Sequence, residues 1–152
     1  MIQRKQSVFL FLAVVIGIVC LCMPLCTLKA ANVGVDGTMF NLWLQNGNGG
    51  YSFIAAPLFA VLLIDTLLNL YTIFLYKNRK KQIRYCSLSM LLLVIWYLAY
   101  AAILAVSTGD VYEGFRLQMA TVLPLICLIL VFMARKGVKA DEALIRASER
   151  LR

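Results

Sequence analysis

The sequence predicts an all-α fold: a polytopic membrane protein with four transmembrane helices in an antiparallel bundle and a short cytoplasmic C-terminal helix. Three observations carry that expectation. First, 62% of the 152 residues are hydrophobic, 14% are charged, and the mean hydropathy is +0.85. A soluble domain carries roughly 25% charged residues, and so much apolar surface cannot all enter one small core. Second, four apolar runs approach the length of about 20 residues that spans a ~30 Å hydrocarbon layer. Third, the Lys and Arg counts of the five polar segments alternate: two, one, five, one, six. Sorting of cations to one face implies an even number of crossings with both termini in the cytoplasm. One transmembrane domain, residues 1–134, is expected, followed by a basic tail, 135–152.

Residues 1–6 carry Arg4 and Lys5, and the first span is expected over 7–28. It is too long for the apolar part of a signal peptide, and no A-x-A site follows cleanly, so a retained helix is expected. Ala13 and Gly17 are spaced four apart for close helix packing, and Pro24 falls near the far end, where a kink is tolerated. Residues 29–52 read as an outer connector with one Lys and one Asp. Asp36-Gly37 is a turn signal for a small hairpin between 33–35 and 38–40, against the simpler expectation of a plain connector. Trp43 suits the membrane interface.

The second span is expected over 53–76, with Pro57 in its first turn, where a missing N–H costs least. Residues 77–85 form a basic cytoplasmic loop holding Lys77, Arg79, Lys80, Lys81 and Arg84 and no acid. The third span is expected over 86–106, with Ala101 and Ala105 as a second small-residue pair. A short outer loop follows, and then a fourth span over 117–134 containing Pro124. In the tail, Asp141 is placed to cap a short amphipathic helix in which Glu142 precedes Arg146 by four residues. Leu144, Ala147 and Leu151 share one face, a pattern for an interfacial or partner-binding helix.

The chain has no histidine. That removes Ser-His-Asp and Cys-His catalysis, the common haem and zinc ligands and the usual neutral-pH proton shuttle. No P-loop, GxGxxG or paired CxxC is present. The five cysteines do not form a reactive pair at a membrane face, because neither outer connector contains one, and Cys22 and Cys26 lie four apart along an expected helix. They read as packing residues. No cofactor, metal or enzymatic activity is expected. Asp65 breaks the local rule. A carboxylate at mid-membrane costs ~2.5–3.5 kcal/mol on insertion scales, so it should face the bundle interior, protonated or hydrogen-bonded. Counted from the expected cytoplasmic ends, Trp96, Tyr97 and Tyr100 come level with Asp65, and Asn69 follows it by one turn; a phenol or indole is the expected donor. The functional alternative is a proton or ion site.

The opening Met1-Ile2-Gln3-Arg4 with Gln6-Ser7, and the closing Asp141-Glu142-x-Leu144-Ile145-Arg146-x-Ser148-x-Arg150-Leu151-Arg152, resemble the domain-of-unknown-function family 4293. The resemblance covers the whole length and implies a small four-span protein of the inner membrane of Bacteroidota. It implies no reaction and carries over no catalytic residue; it does imply a role for the tail, such as docking on a cytoplasmic partner.

The expected function is therefore that of a non-enzymatic scaffold or accessory subunit. Its basic cytoplasmic face (Lys77, Arg79, Lys80, Lys81, Arg84, Arg146, Arg150, Arg152) would bind anionic lipid head groups or a membrane or cytoplasmic protein. The alternative is a subunit of a small transporter or channel that uses Asp65, and self-association is compatible with either. Net charge is +8, but its position at helix ends points to lipid rather than nucleic acid.

Overall fold

The structure, a computed structural model, describes residues 3–30, 35–46, 49–76, 78–107 and 112–150. Four helices dominate it: α1 (Gln3–Cys22), α2 (Ala56–Phe74), α3 (Arg79–Ser107) and α4 (Leu123–Arg150). A small sheet accompanies them: β1 (Cys26–Ala30), β2 (Gly37–Met39), β3 (Leu44–Gln45), β4 (Tyr51–Ser52) and β5 (Tyr112–Leu117). Single 3-10 turns, Phe53–Ala55 and Met119–Val122, lead into α2 and α4. The helices pack in the cyclic order α1–α2–α3–α4, with α4 closing back on α1. The short connections put α2 against α3 and α3 against α4, as expected. The α1 C-terminus, the α2 N-terminus, the α3 C-terminus and the α4 N-terminus all adjoin the sheet, so successive helices alternate in direction.

Three segments are long and apolar enough to cross a membrane: Phe53–Phe74, Arg79–Ser107 and Met119–Ile145. The apolar part of α1, Gln6–Cys22, is shorter. The bundle's outer surface is apolar, with Leu67, Phe74, Leu98, Ile129 and Phe132 exposed. Ala101 and Ala105 also face outward, so that small-residue pair does not pack the bundle. Gly17 does: a Cβ there would strike the Thr66 methyl group on α2.

The element limits differ from the sequence-based ones where proline acts. The first span was expected to run to residue 28, yet α1 stops at Cys22. Pro24 pushes the residue before it out of the helical region, so Pro24 ends the helix rather than kinking it, and the chain turns into β1. Pro57 and Pro124 each sit in the first turn of their helix, where no N–H bond is lost. Pro124 was expected inside the fourth span.

The connector 29–52 is not a plain loop. Its strands β2, β3 and β4 join β1 and β5 in a five-stranded sheet in the order β4-β3-β2-β1-β5. The hairpin around Asp36-Gly37 pairs β1 with β2, Cys26 opposite Met39 and Leu28 opposite Gly37, instead of 33–35 with 38–40. Residues 33 and 34 lie outside the described residues. Once Pro24 has freed residues 26–30, this pairing buries Cys26, Leu28 and Met39 on one face. Asp36 accepts a hydrogen bond from the Ala30 N–H at 3.2 Å across the turn. The short outer loop expected after the third span contributes β5, paired antiparallel with β1.

The opposite end also differs. The basic stretch was expected as a loop, but all of it beyond Asn78 belongs to α3; Lys77 lies outside the described residues. Arg, Lys and Gln are good helix formers, and the Asn78 carbonyl accepts the first turn's bond from Gln82 N–H at 3.0 Å. Likewise α4 runs unbroken through residues 135–140, so no separate tail helix starts at Asp141. Its 28 residues measure ~42 Å at 1.5 Å each, more than a ~30 Å hydrocarbon layer.

The core has two parts. Near the sheet, Leu25, Leu28 and Met39 pack with Leu58, Trp96 and Leu104. Because one face of the sheet enters the same core as these helix residues, the sheet lies across the helix ends as a lid. Toward the basic end, Leu10, Ala13, Cys86, Val131 and Ala134 form a second cluster.

Candidate functional site

Asp65 is buried at 2% exposure, on the interior face of α2 with Thr66 and Asn69. Both carboxyl oxygens have donors. The Ser89 hydroxyl on α3 donates to Oδ1 at 2.5 Å, and Asn69 Nδ2 donates to Oδ2 at 3.0 Å. Asn69 Oδ1 is buried without a hydrogen-bond partner. A carboxyl so placed can lock two helices in register, and it can also hold a proton or cation; the second donor, from within α2, positions Asn69 for either role.

The aromatic donors expected for Asp65 lie elsewhere. Trp96 Nε1 donates to Asn41 Oδ1 at 3.3 Å, and the Tyr97 hydroxyl donates to the Thr121 carbonyl at 2.8 Å. The Tyr100 hydroxyl, buried beside Cys26 and Thr121, has no well-formed hydrogen bond. The physical reason is the start of α3. It begins at Arg79 rather than at 86, which slides the register by two turns, about 10.5 Å at 1.5 Å per residue. Ser89 then stands where Trp96 was expected. The three aromatics belong to the lid end, where Trp96 stacks on Tyr100 with ring centroids 5.4 Å apart and meets Tyr97 edge-on at 5.1 Å.

Sequence reasoning missed Asn41. It is fully buried under the lid; its Nδ2 donates to the Cys20 carbonyl at 2.7 Å while its Oδ1 takes the Trp96 proton. One side chain thus satisfies an orphan carbonyl at the end of α1 and an indole on α3. Its only signal was a polar residue within an otherwise apolar stretch, MFNLWL. Thr121 does related work from the other side, donating to the Leu25 carbonyl at 2.7 Å.

At the other end, Gln6 Nε2 donates to Asp141 Oδ2 at 2.6 Å, and both residues are buried. Gly137 makes room: a Cβ there would lie 3.0 Å from Gln6 Cγ. The two end segments singled out in the sequence therefore touch. The domain-of-unknown-function model DUF4293 matches residues 2–151. The chain belongs to the DUF4293 family. Among curated proteins none matches it.

Five exposed cations of this DUF4293 chain gather at the end opposite the lid, whereas Lys29 and Arg116 are exposed on the lid strands. Lys80, Lys81 and Arg84 are exposed on the first turns of α3, with Arg79 half-buried beside them; Lys136 and Lys139 are exposed on α4. Arg79 Nη1 and Arg135 Nε are buried without a hydrogen-bond partner. The backbones of Arg146 and Arg150 continue α4, but their side chains are outside the description, as are Lys77 and Arg152.

All five cysteines are free, and only Cys22 is exposed. Burial pushes the Cys26 thiol up from its usual value, against a smaller opposing effect of Tyr100, which keeps it in the unreactive thiol form. Among the described residues no group of three or more Cys, Asp or Glu is placed to hold a metal ion.

Proposed function

We propose that this DUF4293 chain is a non-enzymatic scaffold or accessory subunit of the bacterial inner membrane. It crosses four times with both termini in the cytoplasm, and its basic end binds the phosphates of anionic lipids. The observation that carries this reading is the clustering of Lys80, Lys81, Arg84, Lys136 and Lys139 at the helix ends away from the lid. A cluster of exposed cations on α3 and α4 fits the negative cytoplasmic leaflet. α1 crosses as the shortest member, with the lid strands resting on the outer face. A protein partner with an acidic surface is the runner-up occupant of the same cations.

The test is the triple variant Lys80→Gln, Lys81→Gln, Arg84→Gln, purified in mild detergent and examined by native mass spectrometry with added phosphatidylglycerol. Each cation contributes about 1 kcal/mol near an anionic surface, so affinity should fall about a hundredfold while neutral phosphatidylcholine is unaffected. Unchanged retention of phosphatidylglycerol refutes lipid binding by this face. Reporters fused to each end, active only in the cytoplasm, test the sidedness.

A second reading rests on one observation, the unpartnered Asn69 Oδ1 beside Asp65. In it the chain is a subunit of a small transporter in which Asp65 carries a proton or cation. Reconstituted Asp65→Asn that folds normally but loses proton- or cation-coupled flux supports it; unaltered flux removes it.

A further inference from the structure

The buried faces of α2 and α3 change character halfway along. On α2 the buried positions are Leu58 and Leu62 in the lid half, then Asp65, Thr66, Asn69 and Thr72. On α3 they are Gln82, Cys86 and Ser89 from the basic end, then Leu93, Trp96, Tyr100 and Leu104. The two helices run antiparallel, and the Ser89–Asp65 hydrogen bond sets their register. Equal steps from that pair bring Thr72 level with Gln82 on the basic side, and Leu62 close to Leu93 on the lid side. The Tyr71 and Tyr85 rings meet edge-on at 5.6 Å, so the helices keep near that register toward the basic end.

The lid half is closed. Leu58, Leu62, Leu93 and Trp96 are none of them more than 1% exposed. The basic half is a polar seam of about 10.5 Å from Asp65 to Thr72 at 1.5 Å per residue, and Thr72 lies in the last turn of α2. Pinning two helices needs one hydrogen bond, and each further polar group buried in a membrane bundle costs free energy. The seam also holds surplus acceptors. Thr72 gives its proton to the Leu68 carbonyl at 2.6 Å, and Ser89 gives its own to Asp65. Asn69 Oδ1, on a side chain 1% exposed, has no partner. Water or a newly protonated group supplies the donor that such an oxygen requires.

We propose that this seam brings water and protons from the basic end to Asp65, which binds and releases a proton on that side alone. The proposal rests on the second reading above in taking Asp65 as a proton carrier, but it requires no flux. On uptake, a hydronium in the seam gives its proton to Asp65 Oδ2 and becomes water. Asn69 turns its amide, and Oδ1 accepts the new O–H where Nδ2 had donated to the carboxylate. The two ends of one amide thus match the two forms of Asp65, while Ser89 goes on donating to Oδ1. Release reverses these steps. A metal cation is a poorer occupant, because it needs several oxygen ligands. Here the backbone carbonyls belong to regular helix, and the Thr66 and Thr72 hydroxyls donate to those of Leu63 and Leu68. The groups that face Asp65 are Ser89 from α3 and the Cys127 thiol from α4, while α1 presents Gly17 to the neighbouring Thr66. Arg135 of α4 acts on Cys86, nearer the basic end, and its Nε has no partner. That charge repels metal cations and attracts hydroxide, which takes the proton from the carboxylic acid to give carboxylate and water.

The experiment is infrared difference spectroscopy of the full chain in uniformly oriented proteoliposomes, with the pH stepped on one side at a time. The Asp65 band is the carboxyl stretch that shifts in heavy water and is missing from Asp65→Asn. A step at the basic end should change it at least about tenfold faster than the same step at the lid end, where leucines offer protons no polar group. Equal rates, a faster response from the lid end, or a band that no step moves overturns the proposal. Replacing sodium by choline should leave the titration unchanged; a band that depends on sodium overturns the proton as ligand. Thr72→Val combined with Gln82→Leu keeps the side-chain shapes and removes the polar groups, so the response from the basic end should slow about tenfold. A folded double variant that responds at the parent rate overturns the seam as the route. If that variant does not fold, the one-sided steps on the parent decide alone. A separate flux assay keeps the two ideas apart: one-sided titration without coupled flux upholds this inference and removes the second reading, whereas a silent Asp65 removes both.

Discussion

Ser89→Ala removes the hydrogen bond by which α3 holds Asp65 Oδ1. The hydroxyl donates at 2.5 Å to a carboxyl that is 2% exposed. No water reaches the oxygen left behind, and an unmet buried acceptor costs about 1–3 kcal/mol. Polar couplings between membrane helices average nearer 0.6 kcal/mol and reach about 1.7, because the unfolded chain in a membrane also finds partners. A loss of about 1–2 kcal/mol is therefore expected, with little cavity cost from one hydroxyl. Asp65→Asn behaves differently. The new amide keeps an oxygen for Ser89 and turns its nitrogen toward Asn69, whose Oδ1 has no partner. An amide flip at Asn69 lets that oxygen accept, so the cost should stay below about 0.5 kcal/mol. Reversible unfolding in bicelles, followed for both single variants and the double variant, measures these values. If Ser89→Ala lies within 0.3 kcal/mol of the parent, on the order of additivity error, or if Asp65→Asn costs more than Ser89→Ala, the register lock is refuted.

Four further outcomes are expected. Gly17→Ala places a methyl group against the Thr66 methyl, so it should destabilise by about 1–3 kcal/mol, and Thr66→Ser should restore most of that loss; the same unfolding assay checks both. Asn41→Leu leaves the Cys20 carbonyl and the Trp96 indole unpaired; a loss of about 2–4 kcal/mol, from about 1–3 for each group with partial relaxation, should appear with a changed tryptophan emission maximum. Asp141→Leu strands the Gln6 amide and should cost about 1–3 kcal/mol, while Asp141→Asn keeps an acceptor at 2.6 Å and should be nearly neutral. In the folded protein a membrane-permeant maleimide at pH 7 should label Cys22 alone, because Cys26 is held in the thiol form by burial; labelling of Cys26 at a comparable rate contradicts the packed lid.

What was legible in the sequence, and what was not, divides along one physical line. Apolar run length is local, so the long apolar helices and the buried aspartate could be read directly. Element limits depend on tertiary contacts and on proline. The stop at Pro24 needed a choice between a kink and an end, and only the availability of a strand partner for residues 26–30 decides it. The start of α3 is the more instructive case. A charged stretch between apolar runs reads equally as a loop or as a helix that has left the bilayer, since Lys, Arg and Gln favour helix and are hydrated either way. Two turns of helix hidden there moved Ser89, not Trp96, beside Asp65. The continuous α4 has the same origin: Gly137 resembles a helix stop, but here it is the space that Gln6 occupies on its way to Asp141. Both ambiguities lie where the helices emerge at the basic end, because there hydropathy no longer distinguishes structure from solvent. Placing the polar lock at Asp65 thus requires first knowing how far each helix protrudes, so site geometry in such a chain is a statement about helix ends before it is one about side chains.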